Sequence, residues 1–442
     1  MDELAILLVN GANNSAVCEE LLEGYCHNPW LYGNFNDQRP PTVLTYFLKG
    51  VSSSLFRRLF HVNRETMCLI AKEIKETKFF RSSLLNSYPD SQLVDFVCIC
   101  VLYMNTCLSV RCCSKFCGLN TETVENYINL FNKLMGELKD DIVRFPALEK
   151  QNLLMVNAKR FFPGAVGVVD TVFIPKMSST DTVGGFSKTE RKQGVKVLVV
   201  VGRDGRFFNI HISENGGQSN CALYNDSALG YTLRYRKRSL LNRGSFLIAD
   251  RTFPELPYLQ IPFSSSEITA SPNPTTLSNY NYWHHKARFV AQRSIQRWLY
   301  RCPKCRNGLP YTSSRNCMVF TISSLILHQL CCLLNDDWVD DDGKIKCVVI
   351  ASKDGEENSQ VNDECYKCFD SADGLNGNVP ENDYYDLKNM SIVQRSKNGE
   401  EVNEALLNST YEKLKVVARK RRDFLVDLVS LFPNRSVTFY DD

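Results

Sequence analysis

The chain has 442 residues, a formal net charge of +3 and 44% hydrophobic residues. This length and composition exclude a wholly disordered protein and allow two or three domains with sizeable cores. Because the charge is nearly balanced, any affinity for nucleic acid has to come from local basic patches.

The first residues, Met-Asp-Glu-Leu-Ala-Ile, place acids where a secretory signal needs basic residues, so an intracellular protein is expected. The longest apolar runs in the pattern, residues 94–104 and 195–201, are shorter than the roughly 20 residues of a spanning helix. This predicts no membrane partner. The 18 cysteines are then expected to be reduced thiols, many of them in the core.

Residues 1–155 are predicted to form a mainly helical N-terminal region, because apolar residues recur at spacings of three and four. The clearest series is Leu93, Phe96, Val97, Cys100, Val101 and Met104. Such a series is typical of the buried face of a helix.

Residues 110–128 have the pattern of a helix-turn-helix. Gly118 suits the positive φ of the turn, and Asn120 suits the cap of the second helix. Glu122 and Glu125 on that helix would repel phosphates. A packing role or a protein partner is therefore expected for this motif.

Residues 156–335 change to short strands and long helices, which predicts an α/β domain with a mixed sheet. Arg203-Asp-Gly205 is a hairpin turn signal between two strands. The predicted elements are, in order, strands at 166–174, 195–201 and 207–212, a helix near 221–229, a strand at 246–249 and two long helices.

Residues 336–400 are acidic, rich in Gly, Asn and Ser, and without periodicity, which predicts a flexible linker. Residues 401–442 are predicted to form a C-terminal helix and tail. The basic run from Arg419 to Arg422 is either a nuclear import signal or the basic end of a surface helix. The length of the run favours import, so a nuclear location is expected, with a cytoplasmic pool left open.

Asp170 and Asp250 each follow an apolar β-type run and are predicted to lie at strand ends. Two such carboxylates suit a hard divalent cation such as Mg²⁺. With a third acid, a site of this kind holds two metals that act on the attacking and leaving oxygens of a phosphodiester. A single aspartate after a strand is more often a turn residue, so the pair alone leaves both interpretations open.

Several segments occur in a fixed order along the chain. They are Gly167-Val-Val-Asp170, Arg191-Lys-Gln-Gly194, Asp204-Gly-Arg-Phe207, Ala249-Asp250-Arg-Thr-Phe-Pro254, Asn281-Tyr-Trp-His284-His-Lys-Ala-Arg288 and Leu327-His328-Gln329. In order and spacing they resemble the transposases of the PIF/Harbinger type and the nuclease-like host proteins derived from them, within the DDE superfamily. The resemblance implies an RNase H-like core, a nuclease that uses a divalent cation, and DNA as partner.

The chain departs from this family at the third acid. The expected glutamate falls on Gln292, and a further Gly-x-x-His-Asp segment corresponds to Gly216-Gly-Gln-Ser219-Asn220. The resemblance thus implies a catalytic set of Asp170, Asp250 and Gln292, with the two aspartates as metal ligands. A neutral amide coordinates a second hard cation weakly. Glu267 is the alternative third acid.

A basic segment with interleaved tyrosines is the candidate DNA-binding surface. It contains Arg234, Arg236, Lys237, Arg238 and Arg243, with Tyr231 and Tyr235 between or beside them. These residue types suit phosphate and stacking contacts, and a solvated loop is the alternative interpretation.

Cys302-Pro-Lys-Cys305 and Cys365-Tyr-Lys-Cys368 each have the spacing of half a zinc knuckle. They lie far apart in the sequence, so plain thiols are the alternative to structural zinc. Cys317 or His328 would supply a further ligand if the second pair does not.

Three functions remain open at this level. The favoured hypothesis is a nuclear, transposase-derived protein that binds DNA or chromatin with an incomplete nuclease site. The second is an active Mg²⁺-dependent DNA endonuclease, and the third is a zinc-stabilised protein-interaction module.

Overall fold

The structure is a computed structural model that describes residues 50–87, 90–151, 162, 164–177, 186–187, 190, 192–336 and 404–430. Most of the predicted linker, with Cys365 and Cys368, lies outside the described residues. The same holds for the first 49 residues, for the tail after residue 430 and for the side chain of Arg238.

The described N-terminal part is helical. Its elements are α1 (Ser53–Phe60), α2 (Arg64–Lys75), α3 (Lys78–Ser82), a 3-10 turn (Leu84–Ser87), α4 (Asp90–Asn105), α5 (Val110–Cys117) and α6 (Thr121–Ile142). Every residue from Phe96 to Thr106 is buried. Helix α4 is therefore central to this part, and it packs against α2 and α6.

The sheet is mixed. Its described strands are β1 (Ala165–Pro175), β2 (Phe186–Ser187), β3 (Lys192–Gly202), β4 (Phe207–Ser213), β5 (Phe246–Ile248) and β6 (Leu259–Gln260). The order is β2-β3-β1-β5-β6, and β4 also pairs with β3. Strand β3 is antiparallel to β1 and β4, whereas β5 is parallel to β1 and β6. This mixed α/β arrangement is consistent with the RNase H-like core expected from the sequence.

The predicted hairpin is confirmed, since β3 and β4 pair in antiparallel register on either side of the Arg203-Asp-Gly205 turn. Gly205 has a φ of 80°, a conformation that suits glycine because it has no Cβ. The N–H of Gly202 donates to the carbonyl of Arg206 at 2.8 Å and closes the turn.

The remaining described helices are α7 (Asn220–Asp226), α8 (Ala228–Tyr235), α9 (Ser265–Ala270), α10 (Pro274–Arg301), α11 (Pro303–Asn307), α12 (Ser314–Leu333) and α13 (Glu404–Ser430), with a 3-10 turn at Lys237–Ser239. The single helix expected near residues 221–229 is in fact two. Ser227 separates them with an extended backbone, and its Oγ accepts the N–H of Gly230 at 3.0 Å. A side-chain cap of this kind starts a new helix.

Alternate residues of β3 face two apolar layers, because side chains alternate across a strand. Val197, Val199 and Val201 join the cluster that contains α10, α12 and the N-terminal helices. Leu198 and Val200 join the cluster that contains α7 and α8. The N-terminal helices thus share a core with one face of the sheet.

Helix α12 is the one described helix whose length and composition would allow it to cross a membrane. The sequence pattern missed this run of 20 residues. Within the fold, 67% of its most apolar window is buried, and the helix packs against α6, β3 and β4. Core packing accounts for its apolar composition.

Helices α5 and α6 meet at the expected turn. Gly118 has a φ of 64°, and Asn120 Oδ1 accepts the N–H of Thr123 at 2.7 Å. Helix α6 packs its apolar side against α12, so Glu122 and Glu125 face solvent. A protein partner for this surface stays a prediction.

Asp336, the first residue of the predicted linker, is buried. Its Oδ2 accepts the N–H of Asn63 at 2.7 Å, and its Oδ1 lies 3.6 Å from Arg57. Asp336 therefore belongs to the packed fold, and it connects the end of α12 to the N-terminal helices.

Candidate active site

Asp170 lies well inside β1, which has 11 residues, so the expectation that it ends a strand was wrong. Val168 of β1 pairs in parallel with Ile248 of β5. Two residues further along each strand, Asp170 comes to lie beside Asp250, which follows the end of β5. Parallel pairing is thus the local reason that two acids far apart in sequence meet.

Asp250 also has the turn role that the alternative interpretation assigned to it. Its Oδ1 accepts the N–H of Thr252 at 2.8 Å and the hydroxyl of the same residue. These bonds fix the carboxylate, so that Oδ2 is the atom left to face the site.

Arg288 of α10 lies between the two aspartates. Its Nη2 is 3.4 Å from Oδ2 of Asp170 and 3.4 Å from Oδ2 of Asp250. The three side chains are 16%, 10% and 22% exposed, respectively, so the contacts are largely shielded from water. A guanidinium therefore occupies the position on which the two carboxylates converge.

Gln292 lies one helical turn after Arg288, so it is on the same face of α10 and half-buried. Glu267 has other partners. Its Oε2 accepts the N–H of Ser264 at 2.7 Å, and its Oε1 accepts from Arg422 at 2.7 Å. Glu267 therefore does not supply the third acid. The position where the third acid is expected holds the amide of Gln292.

A chain of hydrogen bonds through Thr171, Asn220 and Thr252 links the two aspartates. The N–H of Thr171 donates to Asp170 Oδ1 at 2.8 Å, and its hydroxyl donates to Asn220 Oδ1 at 3.0 Å. Asn220 Nδ2 donates to Thr252 Oγ1 at 2.5 Å. The Thr252 hydroxyl then reaches Asp250.

No site role was expected from the sequence for Thr171, Thr252 or Arg288. Their closeness in sequence to the candidate residues could have pointed to them. Each threonine lies within two residues of a candidate acid, and Arg288 is four residues before Gln292. Asn220 stands where the resemblance expects an acid. An amide both donates and accepts, whereas an ionised carboxylate only accepts, so this chain of bonds depends on the asparagine.

Lys196 of β3 adds a second positive charge near the site. Burial lowers the pKa of its ammonium group, and the charge of Asp250 opposes that shift. Its Nζ donates to the carbonyl of Gln218 at 2.7 Å. With all groups ionised, Lys196 and Arg288 balance the two aspartates.

The site has too few carboxylates to bind a pair of divalent cations. Within the described ranges, no group of three or more His, Cys, Asp or Glu side chains is arranged to hold a metal. Asp170 and Asp250 fit a single cation only in exchange for Arg288. They do not fit two cations, because the position of the third carboxylate holds Gln292.

Burial raises the pKa of Asp170 above its ordinary value of 3.8; Arg288 opposes this rise and Asp250 adds to it. The folded protein thus binds this proton more tightly than the unfolded chain does. Protonation of Asp170 therefore contributes to the free energy of unfolding. This contribution is complete below the ordinary pKa of 3.8 and is lost as the pH rises through the higher pKa of the folded protein.

We therefore expect Asp170→Asn to be more stable than the parent protein at pH 7 and equally stable below about pH 4. Thermal unfolding at both pH values measures the difference. Asp204→Asn, in the exposed hairpin turn, is the control and should change neither value. A variant less stable than the parent at pH 7 would contradict the expectation.

Residues 169–335 match the family model of the DDE superfamily endonucleases. The matched segment is thus a DDE-type nuclease family domain of transposase-derived kind, and it contains Asp170, Asp250, Arg288 and Gln292. Endonucleases of this superfamily normally use divalent metal ions. No curated protein and no solved structure matches the chain.

The basic segment of the DDE domain lies on α8 and on the 3-10 turn after it. Arg234 Nη2 donates to Asn225 Oδ1 at 2.7 Å, and Arg236 is exposed at the end of the helix. Lys237 begins the 3-10 turn. These cations thus follow one another along α8 and the turn after it, and contact with DNA stays a prediction.

The candidate zinc cysteines are buried where the DDE domain meets the N-terminal helices. The Sγ atoms of Cys302 and Cys305 are 3.5 Å apart. Cys302 Sγ donates to the Met104 carbonyl at 3.1 Å. Cys317 Sγ donates to the Tyr311 carbonyl. Cys302, Cys305 and Cys317 are buried in the core at this junction, and no described residue completes a zinc site with them.

His328, the other proposed zinc ligand, is a buried core residue of α12. Its Nε2 lies 3.5 Å from Cys332 Sγ, and its ring packs edge-on to Phe207. Burial lowers the pKa of this imidazole well below its usual range, so it stays neutral. The contacts are those of core packing.

The basic run on α13 is partly internal. Arg422 is buried and lies 3.2 Å from Glu255 and 2.7 Å from Glu267. Arg421 donates to the Gly244 carbonyl, and its guanidinium lies 4.8 Å from the centre of the Phe246 ring. Two of the four basic residues thus make internal contacts, and use of the run as an import signal stays a prediction.

Proposed function

We propose that this chain is a nuclear protein derived from a PIF/Harbinger-type transposase, which binds DNA or chromatin and does not cleave it. The observation that carries the proposal is the placement of Arg288 between Asp170 and Asp250. A divalent cation has to displace this guanidinium from a shielded position before it can bind.

Charge supports the same conclusion. Opposite charges attract more strongly in a shielded site than in water, so the Arg288 contacts weigh against a competing cation. A working two-metal site would add a third negative charge at position 292, but Gln292 is neutral. Asn220 is also neutral where the resemblance expects an acid.

DNA binding is proposed from the charge distribution of the domain. Residues 227–249 contain five Lys or Arg and no Asp or Glu. A local excess of positive charge attracts phosphates even in a protein whose net charge is small. The superfamily match adds support, because DNA is the natural partner of a nuclease domain of this kind.

The test combines cleavage and binding with the full chain. Labelled duplex DNA is incubated with the protein in Mg²⁺ and separately in Mn²⁺, and retention is measured by fluorescence anisotropy. We expect no cleavage, and DNA retention unchanged in Asp170→Ala. Cleavage that Asp170→Ala abolishes would overturn the proposal in favour of an active metal-dependent endonuclease.

Gln292→Glu restores the missing charge and serves as a second variant. A gain of Mn²⁺ binding in this variant would show that the rest of the pocket is intact and that the amide blocks the second cation. No gain would mean either that Arg288 still excludes the cation or that the geometry around Gln292 no longer suits one.

A further inference from the structure

Tyr231 and Tyr235 form an exposed aromatic pair on α8, which we call the tyrosine pair. Their ring centroids are 4.8 Å apart, the ring planes are inclined by 50°, and the residues are 48% and 44% exposed. They are one helical turn apart, so the rings lie side by side along the helix.

Packing of the helix does not account for the tyrosine pair. Helix α8 is anchored by Leu229 and Leu233, which are buried in the apolar cluster that also contains Leu198 and Val200 of β3. Each tyrosine is two positions beyond one of these leucines, and a shift of two positions points to the opposite side of a helix. The pair therefore faces away from the core that holds α8.

Two arginines lie next to the tyrosine pair in the chain. Arg234 and Arg236 are its sequence neighbours, and the guanidinium of Arg234 is held in place by Asn225 at 2.7 Å. Arg236 is exposed. Residues 227–249 contain five Lys or Arg and no acid, and the nearest acid before them is the exposed Asp226, so the stretch carries a net positive charge that attracts phosphate.

We propose that the tyrosine pair stacks the bases of single-stranded DNA while the neighbouring arginines contact its phosphates. This inference rests on the proposed DNA binding and specifies the form of DNA. Bases of a duplex are stacked on each other and hide their faces, so only unpaired bases can stack on exposed rings. Stacking on aromatic side chains tolerates any base, so little sequence preference is expected.

The experiment compares single-stranded and duplex DNA of the same length by fluorescence anisotropy with the full chain. Replacing both tyrosines, in Tyr231→Ala/Tyr235→Ala, is expected to weaken single-strand binding by roughly 10- to 100-fold. Duplex binding should change by less than about 2-fold, because a duplex offers no free base faces. Tyr231→Phe/Tyr235→Phe keeps both rings and should bind single strands like the parent protein.

Two controls separate stacking from other effects. Tyr282→Ala removes a tyrosine of similar exposure, 41%, from α10 and should leave single-strand binding unchanged. Arg236→Ala removes an exposed charge and should weaken binding to both forms of DNA, with a smaller dependence on salt.

The possible failures differ. If the protein binds duplex DNA and the double alanine variant binds single strands as tightly as the parent protein, the stacking proposal is overturned and DNA binding stands. Absence of binding to either form would overturn the proposed function as well. Equal losses on both forms, without rescue by the phenylalanine variant, would overturn stacking by showing that the tyrosines act through the fold.

Discussion

Replacing Arg288 with alanine is expected to raise the affinity of the protein for Mn²⁺ by about tenfold or more, which corresponds to ~1.4 kcal/mol. The guanidinium Nη2 is 3.4 Å from Oδ2 of both Asp170 and Asp250. Its removal frees both oxygens and leaves two negative charges without their nearest compensation. Two close carboxylates of this kind attract a divalent cation.

Calorimetric titration at pH 7 and fixed ionic strength measures this change. Without the cation, Arg288→Ala should be less stable than the parent protein, because the two carboxylates then repel each other. Mn²⁺ should restore its stability. Adding Asp170→Asn to the variant should abolish the gain.

Arg293→Ala is the charge-matched control, because it removes an arginine from the same helix and should leave Mn²⁺ affinity unchanged. Two results would contradict the expectation. Equal binding in Arg288→Ala and the parent protein would show that the aspartates do not bind a cation even when they are released. Tight binding by the parent protein itself would show that Arg288 does not block the site.

Lys304→Met is expected to lower the free energy of unfolding by at least about 3 kcal/mol. Lys304 is buried, and its Nζ donates to the carbonyls of Tyr103, Thr106 and Leu108 at 2.5, 2.6 and 2.8 Å. The ammonium also lies 4.1 Å from the centre of the Tyr103 ring. Methionine matches its length but donates no hydrogen bond, so three carbonyls would lose a donor.

These carbonyls belong to the C-terminal end of α4 and the residues after it, where a helix has no internal donors. A positive charge there is also favoured by the helix dipole. Because Lys304 comes from α11, its loss should weaken the joint between the N-terminal helices and the DDE domain. Urea denaturation, with the midpoint and the slope both fitted, measures the effect.

Lys286→Met is the matched control. Lys286 is half-buried on α10, and its ammonium lies 4.5 Å from the centre of the Tyr282 ring. Loss of this contact at the surface should cost less than about 1 kcal/mol. A cost that small for Lys304→Met would refute the proposed role of the buried ammonium.

Local patterns in the sequence were sufficient to predict the hairpin of the domain and its pair of acids. The β3–β4 hairpin followed from the Arg203-Asp-Gly205 signal because turn geometry depends on adjacent residues. Asp170 and Asp250 were identified from the segments around them, and the superfamily was recognised from several such segments in order. Each of these inferences used residues close together in the chain.

The partners of the charged side chains, in contrast, depended on tertiary packing. Arg288 and Asp170 are separated by 118 positions, and Lys304 and Tyr103 by 201. The buried Arg422 contacts Glu255 and Glu267, which are also more than 150 positions away in the chain. Local patterns report the period and propensity of one segment, whereas an ion pair depends on the distance between segments. For that reason the sequence indicated which acids form the candidate site, and the packing of α10 against the sheet placed a guanidinium between them.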